Sequence, residues 1–150
     1  MTAEETKQTS LFICTGNTCR SPMAAALGQR LLAGVDCSSA GLAAVAGQPA
    51  SQNSIEALAE LGLDLSPHRS RVLTPYLLEQ SDVVLTMTES QKQALARLAP
   101  EFAGKLYTLV EYAGGKGDIT DPFGGDLSQY RQCRDDIHFC IEKIRQKQQG

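Results

Sequence analysis

Short apolar segments alternate with longer amphipathic segments along the whole chain, and this alternation limits the possible folds more than any other feature. Strands are predicted at residues 11–14, 35–40, 82–87 and 105–109. Helices are predicted at residues 21–32, 51–61, 88–98 and 127–147, with a shorter one that begins at the Thr74-Pro75 pair. Strands that alternate with helices form a parallel sheet covered by helices on both faces. The sequence therefore predicts an α/β protein.

Length and charge bound the organisation of the chain. Its 150 residues fit one domain. Residues 1–9 are polar and are predicted to be a flexible leader, so the domain is expected to span residues 10–150. With 14 Lys and Arg against 17 Asp and Glu, the net charge is −3, whereas nucleic-acid binding needs a basic surface. No run of 18 apolar residues exists, so neither a nucleic acid nor a membrane is an expected partner.

The cysteines indicate a reducing compartment. Their number is odd, and they occur at Cys14, Cys19, Cys37, Cys133 and Cys140. We interpret them as free thiols of a cytoplasmic protein, because the start of the chain lacks the pattern of a secretory signal. Their spacing relative to the histidines matches no zinc site, so no metal and no cofactor is expected. Cys133 and Cys140 lie on or beside the apolar stripe of the last predicted helix, so we assign both to core packing.

The loop after the first predicted strand carries the chemistry. It reads Cys14-Thr15-Gly16-Asn17-Thr18-Cys19-Arg20-Ser21. Ligands of open α/β sheets bind at the carboxyl ends of the strands. Backbone N–H groups of a tight loop and of a helix start converge on an anion. The guanidinium of Arg20 presents a fixed fork of donors that matches two phosphate oxygens.

A cysteine in this loop is suited to nucleophilic attack. The positive environment favours the Cys14 thiolate, and a thiolate held under a bound phosphate is an in-line nucleophile. Gly16 and Asn17 tolerate the left-handed backbone conformations that such a loop needs. The Ser21 hydroxyl is predicted to hydrogen-bond the sulfur of Cys14. A buried structural cysteine is the plainer interpretation, but it leaves Arg20 and the loop composition unexplained.

A phosphoenzyme also needs a proton donor for the leaving group and a base for the attacking water. The segment Asp121-Pro122-Phe123-Gly124-Gly125 supplies the favoured candidate, Asp121. Phe123 is expected to form one wall of the pocket. An ordinary Asp-Pro turn is the alternative interpretation, and Asp118 and Asp126 are alternative acids.

Segment 11–25 and the Asp121-Pro122-Phe123 motif resemble the low-molecular-weight protein tyrosine phosphatase family, and the similarity extends over nearly all of residues 10–147. The motifs are closest to the protein-arginine-phosphatase branch of bacteria. The resemblance implies a four-stranded parallel sheet in the order 2-1-3-4, a phosphate-binding loop after strand 1, and a phosphocysteine intermediate. It also implies Cys14 as nucleophile, Arg20 as phosphate ligand and Asp121 as acid and then base, with Asn17, Ser39 and His68 holding the loop.

Thr18 bears on the choice between phosphoarginine and phosphotyrosine. Members that act on phosphotyrosine usually have a bulky aliphatic residue there, whereas the arginine branch resembles this threonine. A branched polar side chain can orient a planar guanidinium and the attacking water. Residues 41–50 contain no aromatic side chain, and the acid loop has Phe123 followed by glycine. The sequence therefore predicts a phosphoarginine phosphatase, with a tyrosine phosphatase as the alternative.

Other activities of this fold are less consistent with the sequence. An arsenate reductase needs further cysteines around the third strand, and residues 80–100 contain none. A sugar-transport phosphocarrier requires neither Arg20 nor Asp121, and a non-catalytic anion-binding or redox-sensing module stays open. Cys19 is either a small loop residue or the partner of Cys14 in a reversible disulfide. Phosphorylated proteins are the expected substrates, and a monomer is expected.

Overall fold

The computed structural model describes residues 7–149 and contains a four-stranded parallel sheet in the order β2-β1-β3-β4. The strands are β1 (Gln8–Cys14), β2 (Val35–Gly41), β3 (Val83–Thr86) and β4 (Leu106–Thr108). In this order β1 pairs with β2 on one side and with β3 on the other. The chain therefore runs from β1 to β2 on one side and then crosses from β2 to β3 on the other side of β1, and this reversal of direction creates a crevice at the carboxyl end of β1. The predicted strand order is confirmed.

Helices cover both faces of the sheet, as predicted. They are α1 (Arg20–Leu31), α2 (Gln52–Ala59), α3 (Pro75–Gln80), α4 (Glu89–Leu98), α5 (Leu109–Tyr112) and α6 (Leu127–Gln149). The sheet has a hydrophobic core on each face, and successive residues of β1 pack alternately into one core and the other. Phe12 packs in the core formed with α1 and α6, whereas Leu11 and Ile13 pack in the core formed with α3 and α4. Residues buried on both sides explain why β1 is continuously apolar from Leu11 to Cys14.

The start of the chain differs from the prediction. Strand β1 begins at Gln8, so the predicted leader of residues 1–9 is too long by at least its last two residues. Gln8 pairs with Val35 and Thr9 pairs with Asp36. This end of the strand is more exposed, and the side chains of Gln8 and Thr9 are polar. The apolar run from Leu11 to Cys14 therefore predicts only the second part of the strand. Residues 1–6 of the predicted leader lie outside the described residues.

The region after β4 also differs from the prediction. Residues 109–112 form the short helix α5, although the sequence predicts a strand as far as residue 109 and a loop from residue 111. Thr108 accepts a hydrogen bond from the Glu111 backbone, and the Glu111 side chain accepts one from Thr108 in return. This reciprocal capping box stabilises a single helical turn in a segment whose glycines suggest a loop.

The long helix α6 packs through its predicted stripe. All five stripe residues are buried, namely Tyr130, Cys133, Ile137, Ile141 and Ile144. Burial of an isoleucine side chain contributes about 1.5–3 kcal/mol. Beside the stripe, the buried Arg134 donates to the Ala57 carbonyl and pairs with Glu60, which ties α6 to α2. In residues 7–149, no helix combines the length and the apolarity that a bilayer crossing requires.

Candidate active site

A cavity of about 210 Å³ lies at the carboxyl end of β1, where the strand order predicts a binding crevice. Eight residues line it: Cys14, Thr15, Gly16, Thr18, Cys19, Arg20, Asp121 and Phe123. Loop 14–20 forms the floor, and the segment that carries Asp121 forms one wall. The structure thus brings together the loop and the acid segment, which lie about a hundred positions apart in the sequence.

Cys14 ends β1 and is buried at the floor of the cavity. Its sulfur lies 2.9 Å from the Ser21 Oγ and accepts a hydrogen bond from the Asn17 backbone N–H at 3.3 Å. The Asn17 side-chain amide donates to the Ser21 Oγ at 2.8 Å. The bond from the Asn17 amide occupies one lone pair of the Ser21 Oγ. The hydroxyl proton of Ser21 is therefore available to the Cys14 sulfur. The arrangement stabilises negative charge on Cys14.

The loop turns its carbonyl groups away from the cavity. Four of them accept a hydrogen bond from a neighbouring segment: Cys14 O from Leu42 N (3.0 Å), Thr15 O from Ala43 N (2.9 Å), Asn17 O from His68 Nε2 (2.8 Å) and Thr18 O from Ser51 N (2.9 Å). The backbone N–H groups of Gly16, Thr18 and Cys19 have no acceptor among residues 7–149. Unpaired N–H groups around a small concave loop are an anion-binding arrangement.

Asn17 is the central residue of the loop scaffold. It is fully buried and has a φ of 59°, so the predicted left-handed conformation is confirmed. Its amide donates to Ser21 and to Ser39 (2.9 Å), while its Oδ1 accepts from the Arg71 backbone N–H (2.9 Å). Gly16, which would tolerate the same conformation, does not adopt a positive φ. A single residue with positive φ is sufficient for this turn.

His68 contacts the back of the loop rather than the cavity. Its Nε2 lies 2.8 Å from the Asn17 carbonyl oxygen, which requires Nε2 to donate. Burial lowers the pKa of His68 below its usual value, with a smaller contribution from nearby arginines. Arg71 reaches the same region, where its Nε donates to the Ser39 carbonyl at 2.8 Å. The structure brings Ser39 and His68 to Asn17, where the resemblance expects them.

The Arg20 side chain lines the cavity and is held in place by a backbone carbonyl group. Its side chain is buried, and one terminal nitrogen donates to the Ile119 carbonyl at 2.9 Å. The other terminal nitrogen lies 3.6 Å from the Asp121 carboxylate, whose side chain is 53% exposed. The guanidinium is therefore fixed at one end and faces the cavity and Asp121 at the other. A preorganised guanidinium can bind an anion without first losing side-chain entropy.

The acid segment holds Asp121 at the edge of the cavity. Asp121 accepts a hydrogen bond from the Phe123 backbone N–H, which forms a local turn after the carboxylate. Phe123 lines the cavity as predicted, but its side chain remains 79% exposed. Of the eight described residues around the cavity, Phe123 is the only aromatic one. The cavity therefore has an aromatic surface on one side only.

The two alternative acids lie elsewhere. Asp126 accepts hydrogen bonds from Ser128 and from the Gln129 backbone at the start of α6. Asp118 accepts from the Glu89 backbone N–H at the start of α4. Neither residue lines the cavity. Both carboxylates act as caps at helix N-termini, where the orphan N–H groups and the helix dipole favour negative charge.

Several residues of the site were not found from the sequence. Gln91 is buried in the first turn of α4 and donates to the Thr15 Oγ1 at 3.1 Å. The Ile119 carbonyl holds Arg20, and Ser51 holds the Thr18 peptide. Gln91 follows Thr88 by three positions, which is a capping-box signal, but nothing local indicates its contact with Thr15.

The Thr18 side of the loop rests on a buried polar cluster. The Cys19 sulfur lies 3.6 Å from both the Ser51 Oγ and the Tyr130 hydroxyl. Burial raises the pKa of Tyr130 to about 12, and its hydrogen bond to Cys19 acts in the same direction. All five cysteines, including Cys14 and Cys19, are free thiols in this structure.

Fold and loop together are those of a cysteine-dependent protein phosphatase. The sequence profile described as Low molecular weight phosphotyrosine protein phosphatase matches residues 10–149. The chain belongs to this family. It is 42% identical over 141 residues to a protein-arginine-phosphatase of Geobacillus stearothermophilus, covering 93% of this chain and 95% of that protein. It is 40% identical over 134 residues to the low molecular weight protein-tyrosine-phosphatase PtpB of Staphylococcus haemolyticus, covering 89% and 95%.

Solved structures agree with this assignment. The YwlE arginine phosphatase from Geobacillus stearothermophilus superposes with a TM-score of 0.91 at 41% identity, covering 95% of this chain and 93% of that one. A low molecular weight protein tyrosine phosphatase from T. tengcongensis superposes with a TM-score of 0.89 at 38% identity, covering 94% and 99%. Relatives with both substrate names are thus similar to this chain to nearly the same degree.

Proposed function

We propose that the protein hydrolyses phosphoarginine in proteins through a phosphocysteine intermediate on Cys14. Phosphoprotein substrates are consistent with the names of its relatives. The unpaired N–H groups of the loop and the free end of the Arg20 guanidinium bind the phosphoryl oxygens. A monomeric state and a location in the cytoplasm stay predictions.

In the first step the Cys14 thiolate attacks phosphorus, so that an S–P bond forms as the P–N bond breaks. Asp121, protonated at this stage, transfers its proton to the bridging nitrogen, and arginine leaves as a guanidinium cation. The position of Asp121 at the cavity edge, 3.6 Å from Arg20, supports this role of the carboxyl beside a bound phosphoryl group. Its partial exposure lets it exchange protons with water.

In the second step a water molecule attacks phosphorus and Asp121 takes its proton. The S–P bond breaks, phosphate leaves, and Cys14 returns as a thiolate. The Ser21 hydroxyl, 2.9 Å from the sulfur, donates to it and makes it a better leaving group. The Asn17 amide keeps Ser21 in that orientation.

The side chain of Thr18 carries the proposal of phosphoarginine as the substrate. Thr18 lines the cavity and is partly exposed to it. A hydroxyl at this position can hydrogen-bond the planar guanidino group or the attacking water, whereas an aliphatic side chain favours an aryl ring. The exposed aromatic side chain of Phe123 can stack on either a guanidinium or a phenol ring. We therefore assign the discrimination between the two substrates to the polar contact of Thr18.

The discriminating experiment compares turnover of three matched peptides that carry phosphoarginine, phosphotyrosine or phosphoserine, with Cys14→Ser as the inactive control. Thr18→Val removes only the hydroxyl at constant shape, and Thr18→Ile adds bulk. We expect both variants to lower kcat/KM for phosphoarginine by roughly tenfold or more, since one hydrogen bond to a charged group is worth about 1.5–3 kcal/mol. Thr18→Ile is expected to raise the relative rate on phosphotyrosine.

Preference of the unaltered protein for phosphotyrosine would contradict the arginine proposal and favour the second candidate, a tyrosine phosphatase. That candidate is supported by the 40% identity to a protein-tyrosine-phosphatase. Phosphate binding without turnover of any peptide would instead favour an anion-binding module.

A further inference from the structure

The Thr15 hydroxyl and the Gln91 amide form a contact that the proposed mechanism does not use. Thr15 lines the cavity directly after Cys14, and its Oγ1 accepts a hydrogen bond from the Gln91 Nε2 at 3.1 Å. Gln91 belongs to α4, beyond strand β3, and is buried. A buried amide that reaches from another helix to a cavity-lining hydroxyl can control the direction in which that hydroxyl donates.

The orientation of the Gln91 amide is determined by its other contacts. Its Oε1 accepts hydrogen bonds from two backbone N–H groups, those of Met87 (3.0 Å) and Thr88 (3.1 Å). An NH₂ group cannot accept either bond, so Oε1 must face the backbone and Nε2 must face Thr15. The helix start therefore fixes the amide as a donor to Thr15.

Because Gln91 donates to Thr15, the hydroxyl proton of Thr15 is not used in this hydrogen bond. Thr15 Oγ1 donates to no acceptor among residues 7–149. The carbonyl of Thr15 accepts a hydrogen bond from the Ala43 N–H, which holds the peptide in place. Because Thr15 lines the cavity beside Cys14, its O–H is available to an anion bound there. The same device occurs at Ser21, where the Asn17 amide occupies one lone pair and the hydroxyl faces the sulfur.

We propose that Gln91 orients the Thr15 hydroxyl so that it donates a hydrogen bond to a phosphoryl oxygen bound above Cys14. Thr15 would contact the substrate through its side chain, and Gln91 would act as a positioning residue. The proposal rests on phosphoryl transfer at Cys14. It adds one donor to the backbone N–H groups and to Arg20, at the oxygen where negative charge develops during transfer.

The substitution Gln91→Glu reverses the hydrogen bond at nearly constant shape. A carboxylate still accepts from Met87 and Thr88, and a glutamate at this position completes the standard capping box of α4. Towards Thr15, however, it can only accept, so the hydroxyl turns away from the cavity. Thr15→Val deletes the hydroxyl, and Thr15→Ser keeps it.

We expect Gln91→Glu to lower kcat/KM for the preferred phosphopeptide by about tenfold to a hundredfold, the value of one hydrogen bond to a charged group. The binding constant for inorganic phosphate, measured by calorimetry, is expected to weaken in parallel. The thermal unfolding midpoint is expected to stay equal or rise, which a merely structural role of Gln91 would not produce. Thr15→Val should show the same loss, and Thr15→Ser should retain most of the activity.

The double variant separates the hydroxyl from simple charge repulsion. On the Thr15→Val background, Gln91→Glu is expected to add less than about a twofold loss, because the two changes remove one interaction. Gln93→Glu adds the same charge on the exposed side of α4 and should leave activity unchanged. A full Gln91→Glu loss that persists without the hydroxyl would overturn the proposal, as would unaltered activity of Gln91→Glu. If no peptide is turned over, the proposed function fails, while the phosphate-binding constants still test this hydrogen bond.

Discussion

Replacement of Asn17 by alanine tests whether the loop geometry depends on one buried side chain. Asn17 makes three side-chain hydrogen bonds, to Ser21, Ser39 and the Arg71 backbone, and is fully buried at a φ of 59°. Alanine would remove all three bonds and retain the left-handed strain. The change deletes no atom that lines the cavity, so any loss of activity must arise through the shape of the loop or through the orientation of the Ser21 hydroxyl.

The expected destabilisation follows from these contacts. At about 0.5–1.5 kcal/mol for each hydrogen bond, the lost bonds amount to roughly 1.5–4.5 kcal/mol. The left-handed conformation costs an alanine about 1–2 kcal/mol, so the free energy of unfolding should fall by about 2.5–6.5 kcal/mol in total. For a chain of this size that corresponds to a Tm lower by roughly 5–26 °C.

The assay is urea unfolding followed by circular dichroism, together with steady-state turnover. Asn17→Gly loses the same bonds but tolerates the backbone conformation, so it should be more stable than Asn17→Ala by about 1 kcal/mol. The matched control is Asn53→Ala, which loses a single long bond to the Gly125 carbonyl and should change stability by less than about 0.5 kcal/mol. A loss below about 1 kcal/mol for Asn17→Ala, with turnover intact, would refute the reasoning.

Three further predictions concern pH, oxidation and packing. Because burial lowers the pKa of His68, the unfolded chain binds its proton first, so the free energy of unfolding should fall as the pH drops below about 6.5. His68→Gln should flatten this part of the stability profile. Peroxide should produce a Cys14–Cys19 disulfide that a thiol reverses, whereas mass spectrometry that finds only Cys14 sulfonate would contradict the prediction. Gly41→Ala should lower Tm and turnover, since its Cβ would lie 2.6 Å from a loop carbonyl oxygen, while Gly104→Ala, with open space around it, should change neither.

Local signals predicted the elements that carry the site. Cys14 follows an apolar run, Ser21 and Pro22 begin a helix, and Asn17 suits a left-handed turn, so each could be assigned from its neighbours. Asp121 required one more argument, since the carboxyl ends of parallel strands share one edge of the sheet. These predictions rest on backbone propensity and strand order, which neighbouring residues largely determine.

Contacts between distant segments could not be predicted in the same way. Gln91 is separated from Thr15 by more than seventy positions, and its capping role gives no indication of where its amide points. The carbonyl of Ile119 has no sequence signal, because every residue has the same group. The positions of the alternative acids Asp118 and Asp126 at helix starts could not be predicted either, because the backbone N–H groups that their carboxylates bind are brought to them only in the folded chain.

The most direct test of the account is to trap the phosphoryl group on the enzyme. Because Asp121 serves both steps, a variant at that position would slow the formation of the phosphocysteine as well as its hydrolysis. The unaltered protein would therefore be mixed with an excess of a phosphoarginine peptide, quenched rapidly and digested for mass spectrometry, with Cys14→Ala as control. We predict one phosphoryl group on Cys14 and none in the control protein. Release of arginine peptide with Cys14 unlabelled, or turnover that survives Cys14→Ala, would contradict the central claim.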